Sequence, residues 1–382
     1  MSTILPGATL GILGGGQLGR MTAMAARTLG YHIHALDPDP SCAARFVVER
    51  CVVGEFDDAE RAADLAAQCD VVTLEIEKVS IASLEAASKH APVRPGPHVL
   101  HVVQDRERQK SWLGRNGFPV GPWQAAGEAA EIAAAVARFG RVFVKATGGG
   151  YDGRGQVELD ASATSADATD ALRSLGGGRC VVERALDLAG ELSVLVARRP
   201  SGGAIVFPPA VNHHVDRILA WSVLPGAVAP DVASRASEIA RAIADSLDVV
   251  GLLVVELFLL KDGTLLVNEL APRPHNSFHA TELACATSQF EQMVRAVFDL
   301  PLGSVEVLRP AAIVNLLGDL WLGDAPPPFD RALELPGVRL HLYGKRVARP
   351  GRKMGHLSAI GATSEEALAR VREAASRLAS RG

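Results

Sequence analysis

The chain has 382 residues, 48% of them hydrophobic and 21% charged, with a formal net charge of -4. That composition describes an ordinary globular protein long enough for two or three domains, and it excludes an intrinsically disordered chain. The acidic balance argues against a nucleic-acid partner, no apolar stretch approaches the ~20 residues of a membrane helix, and five scattered cysteines without a Cys-x-x-Cys pair predict reduced thiols in a cytoplasmic protein.

In chain order, A-T-L-G-I-L (8–13) predicts a buried strand. The turn G-G-G-Q-L-G-R follows, then a helix through M-T-A-M-A-A-R-T-L closed by Gly30. Y-H-I-H-A-L-D predicts a second strand ending on Asp37. Gly14, Gly16 and Gly19, with an acid about 20 positions further on, satisfy the dinucleotide-binding spacing. A nicotinamide enzyme is therefore one reading. Any tight strand-to-helix turn facing a ligand needs the same glycines, and Asp37 in D-P-D-P is equally a turn residue. R-C-V-V-G, D-D-A-E-R-A-A-D-L-A-A-Q and D-V-V-T-L-E-I-E predict a strand, a helix and a strand. The last carries Glu75 and Glu77 at its carboxyl end, the rim where open parallel sheets bind ligands. The proline-rich A-P-V-R-P-G-P closes a first domain near residue 98.

Residues 99–122 predict one helix through V-V-Q-D-R-E-R-Q-K-S-W-L, then G-F-P-V-G-P-W. A helix over 128–139 leads to the strand from Arg141 to Val144, which ends on Lys145. Gly148, Gly149, Gly150, Gly153 and Gly155 then crowd a loop that also holds Tyr151, Asp152 and Arg154 and closes on Gln156. Glycine at that density lets backbone N–H groups close around an anion, and a lysine leaving the adjacent strand can aim its ammonium at the same phosphate. For the glycine run alone, a flexible surface loop is the alternative. C-V-V-E-R-A-L (180–186) predicts a strand regular as far as Glu183. Gly190-Glu191 opens another, A-I-V-F-P-P-A-V-N-H-H continues the antiparallel pattern, and P-D-V-A-S-R-A-S-E-I-A-R-A-I-A-D-S-L is an amphipathic helix.

V-V-G-L-L-V-V-E-L-F-L-L and T-L-L-V-N-E-L flank K-D-G and predict a hairpin. A two-residue turn at Asp262-Gly263 sets Glu256 opposite Glu269, with Cβ atoms about 5 Å apart. Facing carboxylates repel unless one is protonated or a cation lies between them, and the spacing suits Mg²⁺. The alternative is two unrelated acids at a sheet edge. Arg273 and His275 follow on a proline-punctuated segment. His275 and His279 are four apart, but the proline and the N-S break argue against a helical zinc pair. A-T-S-Q-F-E-Q-M-V-R-A-V-F predicts a helix. The region from about 301 predicts strands in A-A-I-V-N-L-L-G and V-R-L-H-L-Y and a closing helix in E-E-A-L-A-R-V-R-E-A-A-S-R-L. Between them Lys345, Arg349, Arg352 and Lys353 gather positive charge that can bind a phosphorylated substrate or form a solvated hairpin.

G-G-G-Q-L-G-R-M, Q-D-R-E-R-Q-K, V-K-A-T-G-G-G-Y-D-G-R-G-Q, N-E-L-A-P-R-P-H-N-S and R-P-G-R-K-M-G-H stand in this order along nearly the whole chain. Together they resemble the N5-carboxyaminoimidazole ribonucleotide synthetase family of the ATP-grasp superfamily. The resemblance implies an α/β and α+β architecture. An N-terminal Rossmann-like parallel-sheet domain would span 1–98, an ATP-grasp domain 99–300 with a lid over about 122–190, and a small β-rich C-terminal domain 301–382. It implies ATP- and bicarbonate-dependent carboxylation of 5-aminoimidazole ribonucleotide through carboxyphosphate, giving ADP and phosphate, with Mg²⁺ and in a homodimer.

By the same resemblance, Arg106 and Lys145 contact the nucleotide's phosphates, and Gly150, Tyr151, Asp152, Gly153, Arg154, Gly155 and Gln156 form the lid. Glu183, Arg184, Ala185 and Leu186 read adenine, and Glu191 holds the ribose. His214 and Asn268 complete the nucleotide site. Glu256 and Glu269 bind the metal; Arg273 and His275, with Asp152, are catalytic. Gln17, Leu18, Glu75, Tyr151 and Asp152 form the aminoimidazole ribonucleotide pocket, with Lys345, Arg352 and Lys353 on its phosphate. The chain departs from the family pattern in E-I-E-K-V where many members read E-F-E-N-V, and in His213 beside His214 and Arg217 after Asp216. A formate-using transformylase of the same superfamily and a catalytically dead nucleotide-binding regulator are the other readings.

Overall fold

The structure is a computed structural model that describes residues 3–148, 155–323 and 325–379. Three sheets organise these residues. The first is parallel, in the order Arg50–Val53, His32–Asp37, Thr9–Leu13, Val71–Leu74. Thr9–Leu13 and Val71–Leu74 are apolar and buried nearly throughout because helices cover both faces, leaving little alternation to read there. Four antiparallel strands form the second sheet: Trp123–Ala126, Cys180–Arg184, Val142–Ala146 and Gln156–Leu159. The helices Ala129–Phe139 and Ser165–Ser174 bury Ile132, Val136 and Ala171 against Val142, Val144 and Val182 of that sheet, giving it a core of its own.

The third sheet has nine strands. The long strand Leu188–Arg198 pairs with Gly251–Leu260, which pairs in turn with Leu265–Ala271. Toward the other edge, Ile218–Leu224, a strand the sequence reading did not single out, pairs with Ala311–Leu317. Ala311–Leu317 pairs with Lys353–Ile360, and that strand with Val338–Leu342. The C-terminal strands therefore extend the central sheet, and Trp221 and Val223 share a core with Leu357, Val371 and Leu378.

Two local expectations are corrected. Residues 97–115 form two helices, Pro97–Val103 and Arg106–Arg115, where one was expected. Asp105 takes an extended backbone and its carboxylate accepts the Arg108 N–H at 2.8 Å, so it caps a new helix. The Gly251–Leu260/Leu265–Ala271 hairpin turns over three residues, Lys261, Asp262 and Gly263. Leu260 N–H donates to Thr264 O at 2.9 Å, and Gly263 sits at φ +84°, the left-handed position such loops require. Near the turn this gives Leu257 opposite Val267. A bulge at the next step restores the expected pair, Glu256 opposite Glu269.

Candidate functional site

A cleft of about 1030 Å³ opens where the rims of the three sheets meet. Gln17, Leu18, Glu75, Arg106, Lys145, Gln156, Glu191, His214, Glu256, Asn268, Glu269, Arg273, His275, Lys345, Arg352 and Lys353 all line it. Glu183 lies on a small adjoining cavity with Lys110. Gly155, Arg184, Ala185 and Leu186 are not among the lining residues, whereas Leu188 is. The backbone N–H groups of Arg184 and Ala185 donate to Pro122 O and Arg141 O. Gly150, Tyr151, Asp152, Gly153 and Arg154 lie outside the described residues.

At the N-terminal rim the glycine turn binds the protein's own acids. Glu75 accepts from Gly16 N–H at 2.7 Å and Gly19 N–H at 2.8 Å, on the N-terminus of the helix Gln17–Thr28. Asp37 accepts from Gly15 N–H at 2.7 Å and from Asp39 N–H at 2.8 Å. A side chain on Gly19 would place its Cβ 2.4 Å from the Gly14 carbonyl oxygen, so glycine is required there by the close approach of backbone, and one on Gly16 would displace the Glu75 carboxylate. These are the positions a dinucleotide would need for its pyrophosphate and ribose. Glu75 already satisfies the Gly16 and Gly19 amides that a pyrophosphate would need, which counts against the nicotinamide reading. Burial pushes the Glu75 carboxyl up to about 7, against the two amide hydrogen bonds that stabilise its charge.

A buried ion cluster underlies the phosphate side. Glu183 Oε2 lies 3.0 Å from Lys145 Nζ and Oε1 lies 3.1 Å from Lys110 Nζ. Burial alone would raise the Glu183 carboxyl, but the two ammoniums overcome it and hold the group down at about 2. Burial works against Lys110 and lowers it, with Glu183 pulling the other way. Glu183 is thus an ionised carboxylate with two cations within hydrogen-bonding distance. Arg106 donates to Ala146 O at 2.9 Å, tying its helix to the lysine strand. Lys110 went unassigned in the sequence reading. Its signal was its place one turn after Arg106 on the same helix face.

Across the cleft, Glu256 and Glu269 face each other on the hairpin. Asn268 Nδ2 donates to Glu256 Oε2 at 3.2 Å, and His275 Nε2 lies 3.3 Å from Glu256 Oε1. Burial, then the Glu269 charge, push Glu256 up to about 7. Burial and the Arg273 guanidinium push His275 well below its ordinary value, so its imidazole is neutral. Arg273 Nε meets Glu77 Oε1 at 2.7 Å, which gives the second acid of E-I-E-K-V a clear structural partner. His214 Nδ1 meets Glu191 Oε2 at 2.9 Å; burial opposes its charge, but the carboxylate prevails and raises it. At the C-terminal rim Lys345 Nζ donates to Lys353 O at 2.8 Å, and Arg346, Arg349 and Arg352 join the same wall. The cleft thus has an acid pair that suits a hard cation, two cationic walls and a neutral imidazole between them.

Comparison with known proteins supplies the context. A family model of the ribonucleotide synthetase preATP-grasp domain matches residues 7–104, one of the ATP-grasp domain residues 111–290, and one of the phosphoribosylaminoimidazole carboxylase C-terminal domain residues 311–370. The chain is 42% identical to the N5-carboxyaminoimidazole ribonucleotide synthase of Brucella melitensis, over 94% of this chain and 98% of that one. It is similar to the crystal structure of an ADP complex of N5-carboxyaminoimidazole ribonucleotide synthetase, with TM-score 0.91 and 39% identity over 98% of this chain and 97% of that one. It is similar also to the synthase of Aspergillus clavatus in complex with ADP and 5-aminoimidazole ribonucleotide, with TM-score 0.88 and 30% identity over 97% and 98%.

Proposed function

This chain belongs to the N5-carboxyaminoimidazole ribonucleotide synthetase family, an ATP-grasp family, and from that premise we propose that it carboxylates 5-aminoimidazole ribonucleotide at the expense of ATP. The reaction takes bicarbonate, gives ADP and phosphate through carboxyphosphate, and belongs to purine biosynthesis. The observation that carries the reading is a single cleft walled by the Glu256/Glu269 pair, Lys145 and the Lys345/Arg352/Lys353 cluster. A homodimer and the cytoplasm are the assembly and compartment that go with it.

The acid pair fits a hard divalent cation, because two facing carboxylates, of which burial and the Glu269 charge raise Glu256, would both be stabilised by a cation between them. Glu256 and Glu269 would hold Mg²⁺, which when bound supplies charge neutralisation to phosphate oxygens. Lys145 and Arg106 approach the nucleotide's phosphates, with Glu183 keeping Lys145 extended toward them and its own backbone leading to the adenine side at Ala185 and Leu186. The Glu191–His214 pair meets the ribose, Asn268 braces Glu256, and Gln156 closes the lid segment that includes Gly150–Gly155. Arg273, oriented by Glu77, offers its guanidinium to bicarbonate, and neutral His275 can take or relay a proton beside it; the family resemblance alone gives Asp152 a part in the same step. Gln17, Leu18 and Glu75 line the part of the cleft that would enclose the aminoimidazole, with Tyr151 added by the family resemblance alone, and Lys345, Arg352 and Lys353 bind its phosphate by charge-assisted hydrogen bonds. A closed cleft keeps water from a labile acyl phosphate.

The test is ADP release, with and without 5-aminoimidazole ribonucleotide and with and without bicarbonate. Stoichiometric ADP only when both are present is expected, and Glu269→Gln should reduce it by at least about 100-fold, the loss expected when charge stabilisation in the transition state is removed. ATP hydrolysis driven by glycinamide ribonucleotide and formate would overturn the reading in favour of a transformylase.

A further inference from the structure

The R-P-G-R-K-M-G-H segment ends on His356, which the phosphate-binding reading leaves without a task. His356 lies on Lys353–Ile360 directly opposite His341 of Val338–Leu342, with ring centroids 5.1 Å apart and planes within 14°. Glu282, on the short helix Thr281–Ala284, brings Oε2 to 3.8 Å from His341 Nδ1. One nitrogen from each histidine and one Glu282 oxygen lie within 4.8 Å of one another, the only such trio among the described residues. None of the three lines the nucleotide cleft.

The trio is held from behind. Tyr343 Oη and His356 Nδ1 are 2.9 Å apart in a buried contact, and His279, hydrogen-bonded to Gln289 at 3.2 Å, stacks on His356 at 4.6 Å. With the Nδ1 proton donated to Tyr343 Oη, Nε2 carries the lone pair that a metal requires, and a partner of this kind commonly fixes a metal-binding imidazole. Burial pushes Glu282 up to about 7 and both histidines down, so burial opposes charge on all three groups. A bound cation would relieve the Glu282 carboxylate. Arg339 and Arg20 act on the trio from nearby. Their positive field works against any cation here, so binding has to come from the imidazole–metal bonds themselves.

We propose that Glu282, His341 and His356 bind Zn²⁺ in an open three-ligand site separate from the nucleotide cleft, with Tyr343 as a positioning residue. Two imidazoles and one carboxylate match a common zinc donor set, whose bonds of about 2.0–2.2 Å require the donors to close by roughly an ångström and the His341 ring to turn out of its near-parallel stack on His356, so that the metal lies near both ring planes. Glu282 and His341 can make that movement, since their side chains remain 31% and 21% exposed, and the same exposure provides an entry path.

The experiment is Co²⁺ titration of the full-length, chelator-stripped protein in saturating Mg²⁺, read by visible absorption, with Zn²⁺ as competitor. One equivalent of Co²⁺ with the intense bands of a four- or five-coordinate nitrogen-containing site is expected, displaced by Zn²⁺. His341→Ala and Glu282→Gln should each weaken it at least about tenfold, and Tyr343→Phe about tenfold with the bands retained. Glu269→Gln should leave the bands unchanged, because it alters only the cleft. Unchanged Co²⁺ uptake in His341→Ala overturns the proposal, as do bands lost in Glu269→Gln alone or no uptake by the Mg²⁺-saturated wild type. Thermal unfolding of each stripped variant separates loss of the ligand from loss of the fold.

Discussion

Glu183 shows how a single side chain can organise a site without facing its main cavity. Its carboxylate lies between Lys110 and Lys145, both largely buried, so removing the charge leaves two ammoniums facing each other. Glu183→Gln should therefore cost about 3–5 kcal/mol of stability, the scale for breaking a buried pair, and raise KM for ATP more than it lowers kcat. Urea unfolding and steady-state kinetics check both, and a variant as stable as the parent would refute the cluster's structural role. Glu75, whose carboxyl is raised where that of Glu183 is held down, carries a pH dependence. Its carboxyl is raised to about 7 by burial, so the native state holds a proton that the unfolded chain releases at ordinary carboxylate values. The stability it contributes is present at pH below about 4.5 and is lost as pH rises through about 7, on the order of 1–3 kcal/mol. Between pH 5 and 8 in EDTA, the midpoint of unfolding should fall with rising pH more steeply in the wild type than in Glu75→Gln. Equal slopes would mean that Glu75 titrates normally.

At the scale of elements, the hairpin Gly251–Leu260/Leu265–Ala271 shows how close a sequence argument comes and where it slips. The acid pair was legible because alternation and a K-D-G turn constrain which residues face each other. A three-residue loop and a compensating bulge reach the same pairing by another route, and nothing local in V-N-E-L announces the bulge. Gly263 at φ +84° is the pivot. Gly263→Val should cost about 1–2 kcal/mol through left-handed strain in a β-branched residue and loosen the pairing of Glu256 with Glu269. The readouts are unfolding and the Mg²⁺ concentration at half-maximal ADP release; unchanged values in both would show that the hairpin register does not depend on this residue. Likewise the break between Pro97–Val103 and Arg106–Arg115 was written in Asp105, a residue type that caps helices. An apolar stripe running through it hid the signal.

For the molecule as a whole, the C-terminal strands continue the central sheet through Ile218–Leu224 and Ala311–Leu317. A chain ending at residue 305 should therefore expose the edge of Ile218–Leu224 and the apolar Trp221 and Val223, aggregate on expression and bind a hydrophobic dye. A soluble, cooperatively unfolding fragment would show that this region docks as an independent unit. The cleft depends on the same continuity, since its basic wall at Lys345–Lys353 and its acid pair at Glu256 and Glu269 belong to one sheet system.

The sequence by itself determined the βα order, the glycine turn, the lysine strand and the acids at strand ends. These depend on local periodicity and on residue chemistry that needs no distant partner. Only the tertiary structure decided that Glu75 and Asp37 fill the glycine turn, that Glu77 orients Arg273, that Lys110 joins Lys145 on Glu183, and that His356 meets His341 and Glu282. Each of these joins residues brought together by packing, and a buried charge takes whichever partner that packing provides.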